Sequence, residues 1–411
     1  MTAIAGCRSC GTQGLLDILS LGETPLANAL LRPEDVARPE PRYPLDLAFC
    51  AACSLVQLRE TVPPELLFRD YVYFSSFSDT MLRHAEALTG GLARERRLGP
   101  DSLAMEVASN DGYLLQYYRR QGVPVLGIEP ARNVARVAVE QRGVPTLPEF
   151  FGVDLARQLV REGRRADVLH ANNVLAHVAD LNGFVAGIRA VLREDGLAVI
   201  EVPYLGELVP RLEFDTIYHE HLCYFSFTAV ERLFSRHGLT AVDVEQIPLH
   251  GGSLQLRFAP AEAGGTPSPR VAALLAREEA LGMTGRAYYQ DLAPRVHRWR
   301  GHFRAFLDEL KAQGQRLAAY GAAAKGATLL NYAGVGAEVI DFVADRSTVK
   351  QGQLMPGVHL PIRPPSALVE HRPDAVVLLT WNFAEEIVAQ QAAYTRSGGR
   401  FIVPVPEVAY L

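Results

Sequence analysis

The sequence predicts an α/β protein in three parts: a small cysteine-clasped lobe, then two units in which strands alternate with helices. Three observations predict it. Four cysteines form two C-x-x-C pairs within the first 53 residues, short apolar runs alternate with helical patterns from Ser102 to about Glu245, and that alternation restarts after Ala312. A chain of 411 residues exceeds one ordinary core, and about 150 residues per domain suggests two or three. Apolar content of 48% against 21% charged residues describes a globular chain with a sizeable core. The net charge of −5 and pI near 6.1 argue against general nucleic-acid binding, which needs a basic face. No apolar run of about 18 residues occurs, so no membrane span is expected.

The lobe comes first, over residues 1–70. Cys7-Arg8-Ser9-Cys10 and Cys50-Ala51-Ala52-Cys53 each let one turn aim two thiols at one point, and together they supply a tetrahedral zinc site. The span from residue 11 to residue 49 between them is longer than finger spacing and implies a larger clasped lobe. A disulfide pair and a thioredoxin-like redox motif are the alternatives. The opening MTAIAGCRSC lacks a basic start and an apolar run, so a cytoplasmic setting is expected, which disfavours disulfides. No strand precedes the first pair to build a redox fold. Four protein ligands leave no open position, so such a metal is structural. Cys223 stands alone and reads as a buried small residue.

The second unit is expected over residues 71–247. Tyr71 to Ser78 is aromatic and polar, a cleft wall or a linker, and a helix pattern runs from about Asp79 to Arg97. Strands are predicted at Leu103–Ala108, Val125–Pro130, Asp167–Asn172 and Gly196–Val202, with a helix from Tyr113 to Gln121. Short apolar runs with intervening helices imply a parallel sheet, whose ligands sit beyond the carboxyl ends of the strands. The third unit, residues 248–411, opens with a helical stretch from about Val271 to Ala312. Its strands are Arg316–Tyr320, Val339–Ala344, Ala375–Thr380 and Arg400–Val403, in a second doubly wound layout. Ala261 to Pro269 reads as a surface loop.

The first strand-to-helix turn, Glu106-Val107-Ala108-Ser109-Asn110-Asp111-Gly112, lacks the G-x-G-x-x-G that lets backbone approach a pyrophosphate. A polar, acid-bearing turn suits a cationic ligand such as S-adenosylmethionine. Glu129, at the end of the next strand, can accept two ribose hydroxyls. Asn172, ending a later strand, lies at the same sheet edge and leads into the turn carrying His177. An ordinary capped α/β turn is the plainer alternative.

The densest chemical cluster is Tyr218-His219-Glu220-His221, shortly after a strand end. Histidine titrates near neutrality and an adjacent carboxylate can orient it, which suits a general base. H-x-H is also a metal-ligand spacing, and a turn with idle histidines is the structural alternative. His177 reads either as a helix cap or as a substrate contact. Gly321 to Gly326 brings Lys325 to a helix start, where backbone N–H groups favour phosphate. Tyr320 precedes that turn. Asp345, Arg346 and Lys350 adjoin the next strand end, as diphosphate contacts or as solvated charges. His250-Gly251-Gly252-Ser253 reads as an interdomain turn with ligand potential.

With these residues in hand, the chain resembles the deoxysugar C-methyltransferases of the tetronitrose, noviose and mycarose pathways. Nearly the whole chain carries the resemblance: the paired C-x-x-C lobe, Tyr71-x-Tyr73-x-Ser75-Ser76, Glu106 to Gly112, Tyr218-x-Glu220-His221, His250-Gly251-Gly252, Tyr320 to Lys325, and Trp381 to Glu386. It implies a zinc lobe, a central Rossmann-like methyltransferase domain, and a C-terminal Rossmann-like domain that helps hold a dTDP-linked 4-keto-6-deoxysugar. It further implies that Tyr73, His177, Tyr218, Glu220 and His221 line the sugar pocket, with His221 as the base. His219 stands where members carry an acid and is a second candidate base. C3 is the expected methylation site and C5 the alternative. A monomer is expected. The rival readings are an O- or N-methyltransferase of a small molecule and a noncatalytic zinc-lobed binding module.

Overall fold

The computed structural model describes residues 2–68, 71 and 73–411; Val72 of the aromatic stretch lies outside them. The N-terminal lobe is built on three antiparallel strands, Leu16–Pro25, Arg42–Phe49 and Val56–Leu58. A fourth strand, Cys223–Tyr224, comes from the middle unit and pairs with Gln57 and Val56. It begins two residues after His221, and the Leu58 amide donates to the intervening Leu222 carbonyl, so the histidine cluster is stitched to the lobe.

The middle unit holds a seven-stranded sheet in the order Leu239–Ile247, Ser253–Pro260, Leu192–Pro203, Ala166–Asn172, Ala104–Val107, Val125–Ile128, Thr146–Leu147. The last five run parallel, and Ser253–Pro260 is antiparallel to both its neighbours. Ala104–Val107 and Val125–Ile128 are buried throughout, which is why they read as unbroken apolar runs rather than alternating ones. Helices cover both faces. Asp79–Glu95 starts where Ser78 accepts a hydrogen bond from the Met81 amide, and Leu181–Val191 is capped by Asp180. His250 to Gly252 joins two strands of this sheet, and His250 also meets Phe383 of the C-terminal unit edge-on at 5.8 Å. The hairpin of Leu239–Ile247 and Ser253–Pro260 carries this sheet beyond residue 247 to Pro260.

The C-terminal unit has six strands in the order Ile362–Arg363, Val343–Ala344, Leu317–Tyr320, Ala375–Leu378, Arg400–Val403, Ala409–Tyr410, parallel except for the last. Strand order reverses between Leu317–Tyr320 and Ala375–Leu378, opening a crevice beyond Tyr320 and Leu378. Gly321 lies there with φ +97°, and a Cβ on it would fall 2.4 Å from Thr380 Oγ1, so only glycine lets the two loops meet. The lobe reaches this unit through Glu40, which accepts from the Gly357 amide and pairs with His359.

Candidate functional site

A cavity of about 580 Å³ opens where all three parts converge. One end is the turn after Ala104–Val107. Ala108 and Asn110 adopt φ of +54° and +49°, and Gly112 +76°, so the chain folds back tightly there. Glu129 receives the Asn110 amide at 2.9 Å and the Ala131 amide at 2.9 Å, which fixes its carboxylate at the cavity wall. Burial pushes that carboxyl up to about 7, against the opposing pull of those two amides. The Asn110 side chain accepts from the Ser75 amide and donates to the Tyr73 carbonyl, so the aromatic stretch is a wall strapped across the cofactor turn.

Asn110, Glu129 and Asn172 line the cavity, whereas Glu106, Ser109, Asp111 and Gly112 stand behind its surface. Asp111 instead pairs with Arg142 and accepts from Ser76, bracing the turn. Both polar atoms of the Asn172 amide are buried without a hydrogen-bond partner, as is one oxygen of Glu106. Of the two, Asn172 lines the cavity, where a ligand can satisfy its amide. A cavity of this size with an anchored carboxylate, an unpaired amide and further acids behind it fits a cationic nucleoside with an amino-acid tail.

The other end carries the histidines. His221 Nδ1 donates to the Thr216 carbonyl at 2.9 Å, because a carbonyl can only accept, so Nε2 keeps its lone pair. Tyr218 donates its hydroxyl to that Nε2 at 2.8 Å. Burial, reinforced by His177, holds the His221 pKa well below the usual range and the ring neutral. His177 stacks edge-on at 4.7 Å and is itself pushed down to about 4 by burial. Tyr73, His177, Tyr218 and His221 all line the cavity. Glu220 sits behind them, its carboxyl raised to about 7 by burial, and accepts from Asn28 at 2.7 Å and Tyr71 at 3.0 Å.

His219 does not join this group. Its Nε2 faces the carbonyls of Tyr43 and Pro44 in the lobe, 3.2 Å from each, and it lies off the cavity lining. Neighbouring side chains of a turn diverge, and packing against the lobe took this one. The reading of His219 as a second base is corrected accordingly.

Of the residues expected to meet substrate, His250, Lys325 and Lys350 line this cavity. Tyr320, Arg346 and again Lys350 line a smaller pocket of about 140 Å³ in the crevice of the C-terminal sheet. Tyr73, Ala323, Lys350, Thr380 and Phe383 belong to both linings, so the two spaces adjoin. Gly251 lines neither; its carbonyl accepts from Arg211. Asn28 was missed in the sequence, since Leu26-Ala27-Asn28-Ala29 carries no chemical signature.

In the lobe, the sulfurs of Cys7, Cys10, Cys50 and Cys53 all lie within 4.8 Å of one another, with Cys7–Cys53 at 3.5 Å and Cys10–Cys50 at 3.6 Å. Thiolates about 2.3 Å from one zinc ion stand about 3.8 Å apart in a tetrahedron, so the set fits that metal. Gln57 donates to Cys7 Sγ at 3.1 Å, a second-layer contact typical of structural sites.

A parallel sheet with an acid-anchored turn, a cavity for a cationic nucleoside and a four-thiolate zinc lobe define an S-adenosylmethionine-dependent methyltransferase. Family models agree: a methyltransferase domain over residues 85–244, a zinc binding domain over 7–68, and a C-methyltransferase C-terminal domain over 248–406. The chain belongs to the C-methyltransferase family, being 39% identical over 401 residues to C-methyltransferase NovU of Streptomyces niveus, across 98% of this chain and 95% of that one. A shorter match, 34% over 107 residues, covers 24% of this chain and 42% of a ubiquinone biosynthesis O-methyltransferase from Methylobacterium sp. (strain 4-46). Among solved structures, magnesium protoporphyrin IX methyltransferase from Synechocystis PCC 6803 with bound SAM aligns at TM-score 0.34 and 10% identity, over 43% of this chain and 78% of that one. The near end-to-end match sets aside the noncatalytic module and the O- or N-methyltransferase. No helix among the described residues is long and apolar enough to cross a membrane.

Proposed function

We propose that the enzyme methylates a carbon flanking the C4 ketone of a dTDP-linked 4-keto-6-deoxysugar, with His221 as the base. The observation that carries this reading is a neutral, oriented histidine in a cavity that has the cofactor turn at one end and adjoins the C-terminal crevice at the other. Glu129 takes the cofactor ribose, with Asn110 and Asn172 beside it. Lys350, Arg346 and Tyr320 hold the diphosphate and nucleotide in the smaller pocket, and His250 walls the sugar. The N-terminal lobe, the middle unit and the C-terminal unit then have distinct tasks: clasp, cofactor and nucleotide.

A C–H bond beside a ketone is acidified because its electron pair can spread onto oxygen as an enolate. His221 Nε2 takes that proton, and the Tyr218 hydroxyl yields the acceptor it had occupied. Glu220, fixed by Asn28 and Tyr71, keeps the segment in register. When bound, S-adenosylmethionine supplies the electrophilic methyl that the enolate carbon takes. Holding the sugar beside the cofactor end provides the proximity on which such a step depends.

The test is proton exchange. With dTDP-4-keto-6-deoxyglucose and sinefungin in deuterated water, the wild-type protein should exchange a proton next to the ketone. Proton NMR then distinguishes C3 from C5. His221→Ala should lose exchange by about 10²–10⁴-fold, the usual worth of a positioned base. Wild-type protein that leaves both positions unexchanged would sink the sugar reading.

A further inference from the structure

The chain has 41 lysines and arginines, of which only Lys311, Lys325 and Lys350 are lysines. Two of those three line the main cavity. A sequence that writes almost every cation as arginine thus keeps lysine at two positions facing the site, Lys350 buried and Lys325 half-buried. The difference is chemical: guanidinium spreads its charge over a planar fork, whereas ammonium concentrates it on one atom. Lys350 is committed, donating to the Ala322 carbonyl at 2.7 Å. Lys325 is held in another way.

Lys325 lines the main cavity together with Tyr218 and His221, and it is not part of the smaller pocket where a diphosphate would sit. Its Nζ stands 3.7 Å from Asp215 Oδ2, 3.3 Å from Asn382 Oδ1 and 3.7 Å from the centre of the Trp381 ring. Trp381 in turn donates its indole N–H to the same Asp215 oxygen at 2.7 Å. Asp215 is fully buried. Asn382, the Asp215 carboxylate and the Trp381 ring face hold the ammonium at the cavity wall, where a substrate oxygen can take over one of these three contacts. Its charge reaches His221, whose pKa it helps to lower. The Tyr218 hydroxyl, meanwhile, is held by His221 Nε2 until that nitrogen takes the proton, whereas Lys325 faces the cavity from the outset.

Building on the enolate reading above, we propose that Lys325 is a further catalytic residue, whose ammonium takes the charge developing on the substrate carbonyl oxygen. Asp215, Trp381 and Asn382 are its positioning residues. In the step it serves, the C–H pair becomes the carbon–carbon double bond and the proton passes to His221. The carbonyl π pair moves onto the oxygen facing Lys325. No other reactant is needed. Asp215 belongs to the middle unit and Lys325, Trp381 and Asn382 to the C-terminal one, so the cation is set only where the two units dock.

The experiment uses the full-length zinc-loaded protein with dTDP-4-keto-6-deoxyglucose. Lys325→Met and Lys325→Arg should each lose both α-proton exchange and methyl transfer by about 10²–10³-fold, as when one oxyanion donor is removed. Calorimetric affinity for the nucleotide sugar should stay within about threefold, and unchanged S-adenosylmethionine affinity reports an intact fold. Asp215→Asn should fall between these variants and wild type in rate. Exchange by Lys325→Met at the wild-type rate overturns the proposal. So does a sugar affinity reduced about tenfold or more with turnover retained, which marks a ground-state phosphate contact instead. Wild-type protein that exchanges nothing removes the enolate reading along with this one.

Discussion

Asn28 of the cysteine lobe donates to Glu220 of the histidine cluster at 2.7 Å, across a sequence separation of 192 residues. The lobe therefore does more than stand beside the site, because one of its side chains fixes a carboxyl directly behind the proposed base. Asn28→Ala should remove a hydrogen bond to a charged group, worth about 1.5–3 kcal/mol. That bond holds the Glu220 carboxyl down, so its loss should move the acid limb of the kcat/KM profile to higher pH by about one unit or more. An unmoved limb would show that Glu220 does not titrate in the rate.

Cys50→Ser should abolish zinc retention, since four thiolates close the site and three leave it open. Metal analysis should give one zinc per wild-type chain and none for the variant. Amide exchange should rise across Leu16–Leu58. Wild-type protein purified without any zinc would refute the assignment.

Glu129→Ala should weaken S-adenosylmethionine binding about tenfold or more, since about 1.4 kcal/mol corresponds to one decade and a charge-assisted contact exceeds that. Calorimetry measures it directly. Equal affinity would move the ribose contact to another residue.

Burial also gives Glu129 a pH signature. Its carboxyl releases its proton near pH 7 when folded and near 4.5 when unfolded. Between those values the native state binds the extra proton, so this group's contribution to stability falls as pH rises towards 7. Other groups titrate over the same range, so the useful quantity is the difference between wild type and Glu129→Gln. The variant's melting temperature, relative to wild type, should climb between pH 5 and pH 8. A constant difference would mean an unperturbed carboxyl.

Local chemistry was legible in the sequence. The C-x-x-C pairs, Glu129 at a strand end and the run from Tyr218 to His221 all announce themselves through spacing or strand position. The preference for His221 over His219 comes from the resemblance, and spacing alone does not separate them, because His219 is drawn away by lobe carbonyls brought near only in the fold. Asn28 was not legible, nor was Asp215, whose partners Trp381 and Lys325 lie in the other unit. The strand Ser253–Pro260 was hidden too, since its antiparallel insertion breaks the pattern of strand, helix, strand. Glu106 and Asp111 were read as contacts because they share the turn, yet the turn shows only some of its side chains to the cavity.

The two-residue strand Cys223–Tyr224 sets a limit on how this enzyme can be recombined. A hybrid joined near residue 70 would give the lobe a foreign fourth strand and a foreign Glu220, although all four clustered cysteines came along. The lobe expressed alone would show the unpaired edge of Val56–Leu58 to solvent and invite self-association. Transplanting it intact means moving the segment from about residue 214 to residue 226 as well, so that the inheritable unit is discontinuous in the gene.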